Sequence, residues 1–420
     1  MSTTIDVVHI STRNGTSPSH KKHEKSSLRF NVFSSIDQKY EHHLKNLIHS
    51  FKVGLALVLV SLLYILDPLF EQVGENAMWA IMTIEVIFEF FAGATLSKGL
   101  LRGIGTVLGG GLGCLATILT NNLGKIENTI VVGILIFTFG SMATFCRFTP
   151  SINKKYDYGV VNFILTFNLV AASGLHAHEI MELAHKRLSA VGMGFSVCIF
   201  ISLLIFPMWA SDELHQLTSS RFDELASCIE ECMEAYFCIV GQKESRPILH
   251  VSSCKSVLYS KSSDESLVNF ARWEPCWGNF GFCNPWEKHQ KIADLLRGLA
   301  SIILSMQQCL ESPLQPSTIL REGIKEPCQN VGLSLGLIIH KLGESVRTKK
   351  RNLDKDLVAP ELQAIKLKLM LLSTSTLQTI ENIEDLAIAN FLFLLLEIVD
   401  KVEVIAKEVE KLESGCLISI

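Results

Sequence analysis

Seven basic residues lie at or just inside the ends of apolar segments, and they are the side chains best suited to do chemistry. They are Lys98, Arg102, Arg147, Lys154, Lys155, Lys186 and Arg187. Taken singly, each long side chain can extend from an apolar helix to water, which requires no function. Taken together, seven cations facing few anions would create a positive potential that admits organic anions and repels cations. The set therefore predicts an anion pathway, in which each ammonium or guanidinium binds a carboxylate.

A second polar cluster, HAHEIMELAHKR at residues 176–187, raises the question of a metal-dependent enzyme. An HExxH zinc site needs a second histidine one helical turn after the first. His178 and Glu179 begin such a motif, but Glu182 occupies the position of the second histidine. The sequence also contains no GxSxG, Walker A or strand-associated GxGxxG motif. We therefore predict no enzymatic activity, no catalytic residues, no resident metal and no cofactor.

The composition indicates that membrane helices position these cations. Of the 420 residues, 48% are hydrophobic and only 19% are charged, whereas an average soluble protein has about 25% charged residues. Only 18 Asp, Glu, Lys and Arg lie between Phe51 and Ala210. The net charge of -4 argues against a nucleic-acid partner, because neutralising phosphates requires a basic surface. Membrane lipid is the predicted environment of the first half.

Six apolar segments predict membrane-spanning helices, since crossing a bilayer takes about 20 mainly apolar residues. They run from Phe51 to Leu66, Ala77 to Leu96, Gly103 to Leu119, Thr129 to Cys146, Tyr158 to Leu175 and Leu188 to Trp209. Pro207 is expected to kink the sixth span. The connections are short, so consecutive helices should run antiparallel.

The loop charges predict that both termini face the cytoplasm, because Lys and Arg in short loops favour that side. The first fifty residues carry seven of them. Lys186 and Arg187 fall on the outer side in this topology and oppose the rule, which marks them for another role. The loop charges suit the plasma membrane or the vacuolar membrane, and we favour the plasma membrane.

The predicted fold class is all-α, an integral membrane protein with six transmembrane helices and a C-terminal cytosolic helical domain. Its parts are a polar segment at residues 1–50, a transmembrane domain at 51–210 and a helical domain at 211–420. Apolar residues recur at helical spacing after Ala210, and Asp212 is placed to cap the first of these helices. The uncharged run from Leu386 to Leu396 is too short to span a bilayer and predicts a buried core helix.

A glycine repeat shapes the third span. Gly105, Gly109 and Gly113 recur at intervals of four and leave one helix face bare. Such faces permit close helix packing in lipid, which is the commoner cause of the pattern. A wall of the conduction path and a dimer seam are the functional alternatives.

Four motifs resemble the plant aluminium-activated malate transporter family. WAIMTIEVIFEFFAGATLSKGLLRGIGT at residues 79–106 is similar to its second and third spans, and CRFTPSINKKYDYGVVNFILTFNLV at 146–170 to its fourth-to-fifth span region. IFPMWASDELH at 205–215 resembles its membrane boundary. ARWEPCWGNF at 271–280 contains the Trp-Glu-Pro motif typical of its cytosolic domain, here Trp273, Glu274 and Pro275.

The resemblance implies a homodimeric channel with six spans per subunit that passes malate and often inorganic anions. It places basic family positions at Lys98, Arg102, Arg147, one of Lys154 or Lys155, and Arg187. Two alternatives stay open. A proton-coupled organic-acid exporter would titrate Glu85, Glu89 or His185 during its cycle, whereas a membrane scaffold would bind partners through its helical domain and conduct nothing.

Acidic residues predict two modifying features. Glu85, where the family usually has an aliphatic residue, forms an i, i+4 pair with Glu89 near mid-membrane, where an ionised carboxylate is costly. We hypothesise that Glu85 faces the bundle or the pore, protonated or paired with a pathway cation, and lowers anion conductance. Carboxylates on the outer side could bind Al³⁺, since hard cations prefer oxygen ligands, although acids are also ordinary in solvated loops. This possible outer cation site comprises Asp67, Glu71, Glu75, Glu179 and Glu182.

Overall fold

The computed structural model describes residues 43–62, 65, 77–120, 124–173, 180–238, 251–275, 286–311, 318–348, 355–378 and 386–415, and within these ranges the fold is all-helical. The helices are α1 His43–Leu62, α2 Ala77–Ile87, α3 Ala92–Thr120, α4 Lys125–Phe148, α5 Pro150–Ser173, α6 Ile180–Leu204, α7 Ala210–Phe237, α8 Val251–Tyr259, α9 Lys261–Ala271, α10 Trp286–Glu311, α11 Thr318–Thr348, α12 Lys355–Gln378 and α13 Leu386–Gly415. The predicted all-α class is confirmed for the described residues.

Four helices among the described residues are long and apolar enough to cross a membrane: His43–Leu62, Ala92–Thr120, Ile126–Phe148 and His185–Leu204. α2 is apolar but spans only 11 residues. α5 has 24 residues and carries Lys154, Lys155 and Asp157 in its first two turns. These two helices coincide with predicted spans yet do not meet the same length and composition criteria.

The second span was wrongly predicted as one helix from Ala77 to Leu96, because the chain leaves the helix at residues 88–91 and starts α3 at Ala92. The free backbone groups find other partners there. The Glu89 N–H donates to Thr95 Oγ1 over 3.0 Å, and the Ala92 N–H donates to the Met208 carbonyl over 3.0 Å. This break moves Lys98 and Arg102 from a predicted loop into the first turns of α3.

The ends of the predicted transmembrane domain also differ. α1 begins at His43, so the last eight residues of the predicted polar segment belong to the first helix. α6 ends at Leu204, and Pro207 follows its end rather than kinking it. Phe206, between them, adopts a left-handed φ of 46°. The chain therefore turns sharply before α7 starts.

Close packing of α3 on α5 forms one half of the membrane bundle. A Cβ on Gly105 would lie 2.5 Å from the Gly159 carbonyl oxygen, and a Cβ on Gly109 would lie 2.6 Å from the Phe163 carbonyl oxygen. The residue numbers of the contacting positions increase together along both helices, so α3 and α5 run parallel. α4, which connects them in the chain, runs in the opposite direction. The bare glycine face lets the two backbones approach closely.

The remaining membrane helices form a second layer. α2 packs on α6, where Gly194 meets Ala80 and Thr83. Ala56 and Val60 of α1 join this layer in one apolar cluster. α6 also packs on α3, which connects the two layers.

The helices from α7 to α13 form a separate C-terminal domain with its own core. α7 packs on α11, and α10 packs on α13. Phe222, Leu225 and Ile229 of α7 are fully buried, and burying each contributes roughly 1.5–3 kcal/mol. The Tyr236 ring stacks on Phe391 with centroids 3.7 Å apart.

The predicted core helix from Leu386 to Leu396 lies within α13. It packs on α10 and contributes Leu392 and Leu395 to the core of the C-terminal domain. α13 is not among the membrane-spanning candidates in the described ranges. The prediction of a buried core helix is confirmed.

A buried ion cluster fixes the helices of this domain next to the membrane bundle. Asp264 of α9 is 1% exposed and accepts hydrogen bonds from Arg221 and Arg297, each over 2.6 Å. These two arginines come from α7 and α10. Two guanidinium partners compensate the cost of burying the carboxylate, so α9 has one defined position.

Candidate anion pathway

A cavity of about 670 Å³ opens where α3 and α5 meet α9 of the C-terminal domain. We call it the junction cavity. It is lined by Ser97, Lys98, Leu101, Lys155, Tyr156, Asp157, Tyr158, Val161, Ser266, Asn269, Phe270, Arg272 and Trp273. Two of the predicted pathway cations, Lys98 of α3 and Lys155 of α5, thus line the same cavity.

Tyr158 connects the junction cavity to the interior of the bundle. The Lys98 Nζ lies 5.9 Å from the centroid of the Tyr158 ring. Arg102 Nη1 donates to Tyr158 Oη over 3.3 Å. Since Lys98 and Arg102 are one helical turn apart on α3, they lie on the same face of that helix. The two cations are therefore consecutive along one face of α3.

Arg102 and Arg187 are buried deep in the bundle, with 6% and 4% of their surface exposed. The Arg187 guanidinium carbon lies 3.6 Å from the centre of the Trp79 ring, which covers one face of the cation. Both guanidinium groups are positively charged, and like charges repel each other inside the bundle. Arg102 Nε and Arg187 Nη1 are buried, and neither has a hydrogen-bond partner among the described residues. Buried, unpartnered N–H donors of like charge suit an incoming anion.

The two arginines lie at different depths. Arg102 is ten positions after the start of α3, which is about 15 Å along that helix from its first residue. Arg187 is seven positions after the start of α6, or about 10 Å from the opposite end of the bundle. The cations therefore extend from the junction cavity well into the bundle.

The other predicted pathway cations have different surroundings. Arg147 of α4 forms a bidentate pair with Asp157 of α5, through Nε at 2.5 Å and Nη2 at 3.1 Å. Lys155 is exposed in the junction cavity, and Lys186 is half-buried on α6. Lys154 belongs to α5, but its side chain lies outside the described part of the structure. The pairing of Arg147 gives it a role in joining α4 to α5.

The acidic pair on the second span is not formed as predicted. Glu85 occupies the last turn of α2 and is exposed on the surface of the chain, not turned into the bundle. Glu89 lies outside the helix, in the break, where its carboxylate forms an ion pair with Lys98. The break at residue 88 prevents the i, i+4 arrangement. Of the two acids, Glu89 is the one in contact with a predicted pathway cation.

The possible outer cation site lies almost entirely outside the described residues. Asp67, Glu71, Glu75 and Glu179 fall there, and Glu182 belongs to α6 with its side chain outside the description. Within the described residues, no group of three or more His, Cys, Asp and Glu side chains could hold a metal ion.

The Trp-Glu-Pro motif holds the start of α7, where the chain leaves the membrane bundle. Trp209 precedes α7 but supplies no capping hydrogen bond. Instead, Glu274 Oε1 accepts the N–H of Ala210 over 2.5 Å and that of Ser211 over 3.3 Å. Burial raises the pKa of the Glu274 carboxyl, although these N–H donors act in the opposite direction. Asp212, the predicted cap, lies in the first turn of α7 instead.

Sequence reasoning missed two residues of the site, Arg272 and Tyr158, and one buried cation elsewhere in the bundle, Lys52. In the sequence, Arg272 is an ordinary cation before the Trp-Glu-Pro motif. Only the fold shows that it lines the same cavity as Lys98 and Lys155. Tyr158 was noticed only as the start of a span. Lys52 of α1 is 2% exposed, and its charge inside an apolar run was the available signal. A search for single cations within apolar segments would have found Lys52, but not Arg272.

Comparison with known proteins identifies the family. The family model described as aluminium activated malate transporter matches residues 41–381. The chain is 38% identical over 330 residues to aluminum-activated malate transporter 13 of Arabidopsis thaliana, covering 76% of this chain and 60% of that protein. It is 37% identical over 376 residues to transporter 2 of the same plant, covering 88% and 75%.

A relative from wheat, aluminum-activated malate transporter 1 of Triticum aestivum, is 39% identical over 323 residues, covering 71% of this chain and 68% of the relative. The matched region includes the junction cavity, both buried arginines and the Trp-Glu-Pro motif. The chain belongs to the aluminium-activated malate transporter family.

Proposed function

We propose that this protein is a passive channel that conducts malate and small inorganic anions across a plant membrane. The observation that carries the proposal is the pair of buried guanidinium groups, Arg102 and Arg187, whose Nε and Nη1 donors, respectively, have no acceptor among the described residues. An anion passing between them would supply the missing hydrogen bonds and relieve their repulsion. The relatives' names, which contain malate transporter, support malate as the substrate.

The proposed architecture has six spans, with α2 and α5 completing the set given by the four longer apolar helices. The C-terminal domain would then lie in the cytosol, and Lys98 and Arg102 near the cytosolic side. Arg187 would be an interior residue, so its position on the outer half no longer opposes the rule for loop charges. Two copies would form a homodimer, and the plasma membrane is the favoured location.

The test is whole-cell voltage clamp of cells that express the full chain, with malate inside and changing chloride, nitrate and malate outside. The reversal potential should follow the anion gradients. Replacing Arg102 or Arg187 with Gln should reduce the current per surface protein about tenfold or more, since each removes a strong charge-assisted donor. Arg102→Lys and Arg187→Lys keep the charge and should retain more current than the Gln variants.

Protein stability separates a pathway role from a structural one. Neither arginine has a carboxylate partner among the described residues, so neutralising either one leaves no buried anion behind. Both Gln variants should therefore unfold at the same temperature as the wild type or above it. Unchanged currents in both variants would reject the pathway.

The two alternatives give different electrical results. A flux with a fixed proton stoichiometry and a steep pH dependence would indicate the coupled exporter. Surface protein without any anion-dependent current would indicate the scaffold.

A further inference from the structure

The junction cavity contains cations from both domains. Lys98 and Lys155 come from the membrane helices α3 and α5, whereas Arg272 follows α9 of the C-terminal domain. Lys98 is paired with Glu89. Asp157, the one acid lining this cavity in the described residues, is held by Arg147. Since Lys155 and Arg272 form no ion pair with a described residue, the cavity carries excess positive charge.

Its other polar and aromatic groups suit a small organic anion. Ser97, Ser266 and Asn269 supply side chains that can hydrogen-bond a hydroxyl or a carboxylate. Tyr156 and Tyr158 add phenol groups from α5. A volume of about 670 Å³ falls within the usual range for small-molecule sites and exceeds what a bare inorganic ion needs.

The fold holds Arg272 in place. Its backbone N–H donates to the Val268 carbonyl over 3.2 Å, which continues the helical bonding of α9 by one residue. Two residues later, Glu274 binds the start of α7. Two residues before Arg272, Phe270, which also lines the cavity, lies against Phe91 with ring centroids 6.4 Å apart. Arg272 is therefore positioned by contacts on both sides, although its own side chain is exposed.

We propose that the junction cavity is a binding site for a small organic dianion, in which Arg272 takes one carboxylate and Lys155 the other. The C-terminal domain thus contributes a residue to the loading end of the anion route, and Tyr158 connects that site to Arg102. This rests on the proposed function only in the claim that the bound dianion goes on to permeate. Binding itself does not depend on conduction.

The first test measures binding without any current. The full chain, purified in detergent, is unfolded thermally at increasing malate concentrations, and the malate concentration that fills half of the sites, the dissociation constant, is fitted to the rise in melting temperature. Arg272→Gln should raise that concentration about threefold to tenfold, as expected for loss of one charge-assisted hydrogen bond. Arg272→Lys should lie between the two, because it keeps the charge but not the bidentate geometry.

The matched control is Lys261→Gln, which removes an exposed cation from the same helix without touching the cavity. It should bind malate as the wild type does. The difference between Arg272→Gln and the wild type should shrink as salt rises, since the site is open to solvent. A wild type that shows no malate-dependent shift, or an Arg272→Gln variant that matches it, overturns the site.

The second test uses excised patches with the cavity side facing the bath. Arg272→Gln should shift the malate dependence of the current by the same factor, and the reversal potential should stay unchanged because Arg102 and Arg187 are intact. A normal malate dependence of that current rejects Arg272 as part of the loading site. If the wild type binds malate through Arg272 but carries no current, the binding site stands and the channel proposal fails.

Discussion

The arginines at positions 102 and 187 differ from the lysines of the junction cavity in ways that fit their depth. A guanidinium stays charged even when buried, whereas a buried ammonium loses its proton more readily. Its planar shape lets Trp79 cover one face of Arg187 while the edge keeps its N–H donors. The Lys98 ammonium, at the mouth, can remain hydrated and pair with Glu89. The arginines, which stay charged when buried, therefore lie inside the bundle, and Lys98, which can remain hydrated, lies at the junction cavity.

Glu89 provides a prediction at this scale. Glu89→Gln removes the partner of Lys98 and leaves its ammonium free to attract anions, so the current at low malate should rise about twofold to fivefold. Glu85→Val is the comparison, since Glu85 is exposed and forms no ion pair with a described residue. Its conductance should match the wild type.

The measurement is current against malate concentration, divided by surface protein, for both variants. A rise in Glu85→Val with no change in Glu89→Gln would return Glu85 to its predicted place facing the pathway. Equal effects of both substitutions would mean that net negative charge matters more than the contact with Lys98.

The parallel packing of α3 and α5 places the residues of the route next to each other. Gly105 and Gly109 let the backbones approach, and this brings Tyr158, at one end of the contact, to Arg102. Any side chain at these glycines would push the helices apart and lengthen that hydrogen bond. The glycine face thus has a consequence for the site as well as for stability.

Gly109→Ala tests this packing. Its Cβ would meet the Phe163 carbonyl oxygen at 2.6 Å, so α3 and α5 must separate, at a cost of about 1–3 kcal/mol. Gly111→Ala, two positions away, meets nothing within 4 Å and should be neutral or slightly stabilising. Thermal unfolding of both variants in detergent measures the difference. Equal melting temperatures would show that the contact tolerates a methyl group.

The elements were predictable where the signal is local. Apolar runs located five of the helices, with starts placed four to eleven residues too late, and the glycine spacing marked a close-packing face. The break at residues 88–91 has an equally apolar sequence, and it depends on the Met208 carbonyl more than one hundred residues away. Arg272 was missed for the same reason, because its neighbours Lys98 and Lys155 belong to another domain. The helix break and the position of Arg272 both depend on contacts between residues that are distant in the sequence.

At the scale of the whole molecule, a small number of polar contacts hold together the part of the C-terminal domain that meets the bundle. Glu274 caps α7 directly after the last membrane helix, and Asp264 fastens α9 to α7 and α10. A shift of α9 would therefore move Arg272 and the start of α7 together. A conformational change that shifts α9 would therefore also change the junction cavity.

The Asp264 cluster gives a prediction for the domain itself. Asp264→Asn would leave Arg221 and Arg297 buried with no carboxylate between them, which should destabilise the C-terminal domain by about 3–5 kcal/mol. Glu403→Gln, which breaks an exposed pair with Lys407, should change stability by less than about 1 kcal/mol. Denaturant unfolding of the purified chain compares them. A loss for Asp264→Asn as small as that of the control would mean that water enters and solvates the arginines.

Glu274 makes the stability of the C-terminal domain dependent on pH. Its carboxyl has a raised pKa because it is buried, so the folded state holds its proton more tightly than the unfolded chain. Its stabilising contribution is thus complete below the ordinary glutamate pKa and declines as the pH rises through the raised value.

Glu274→Gln keeps an oxygen that accepts the Ala210 N–H but cannot ionise, so this decline should disappear. Glu274→Ala removes the acceptor and should cost about 1 kcal/mol relative to the Gln variant at every pH, as the loss of a helix cap does. Melting temperatures of the three proteins across the acidic range measure both effects, and a Gln variant that keeps the wild-type slope would assign the pH dependence to another group.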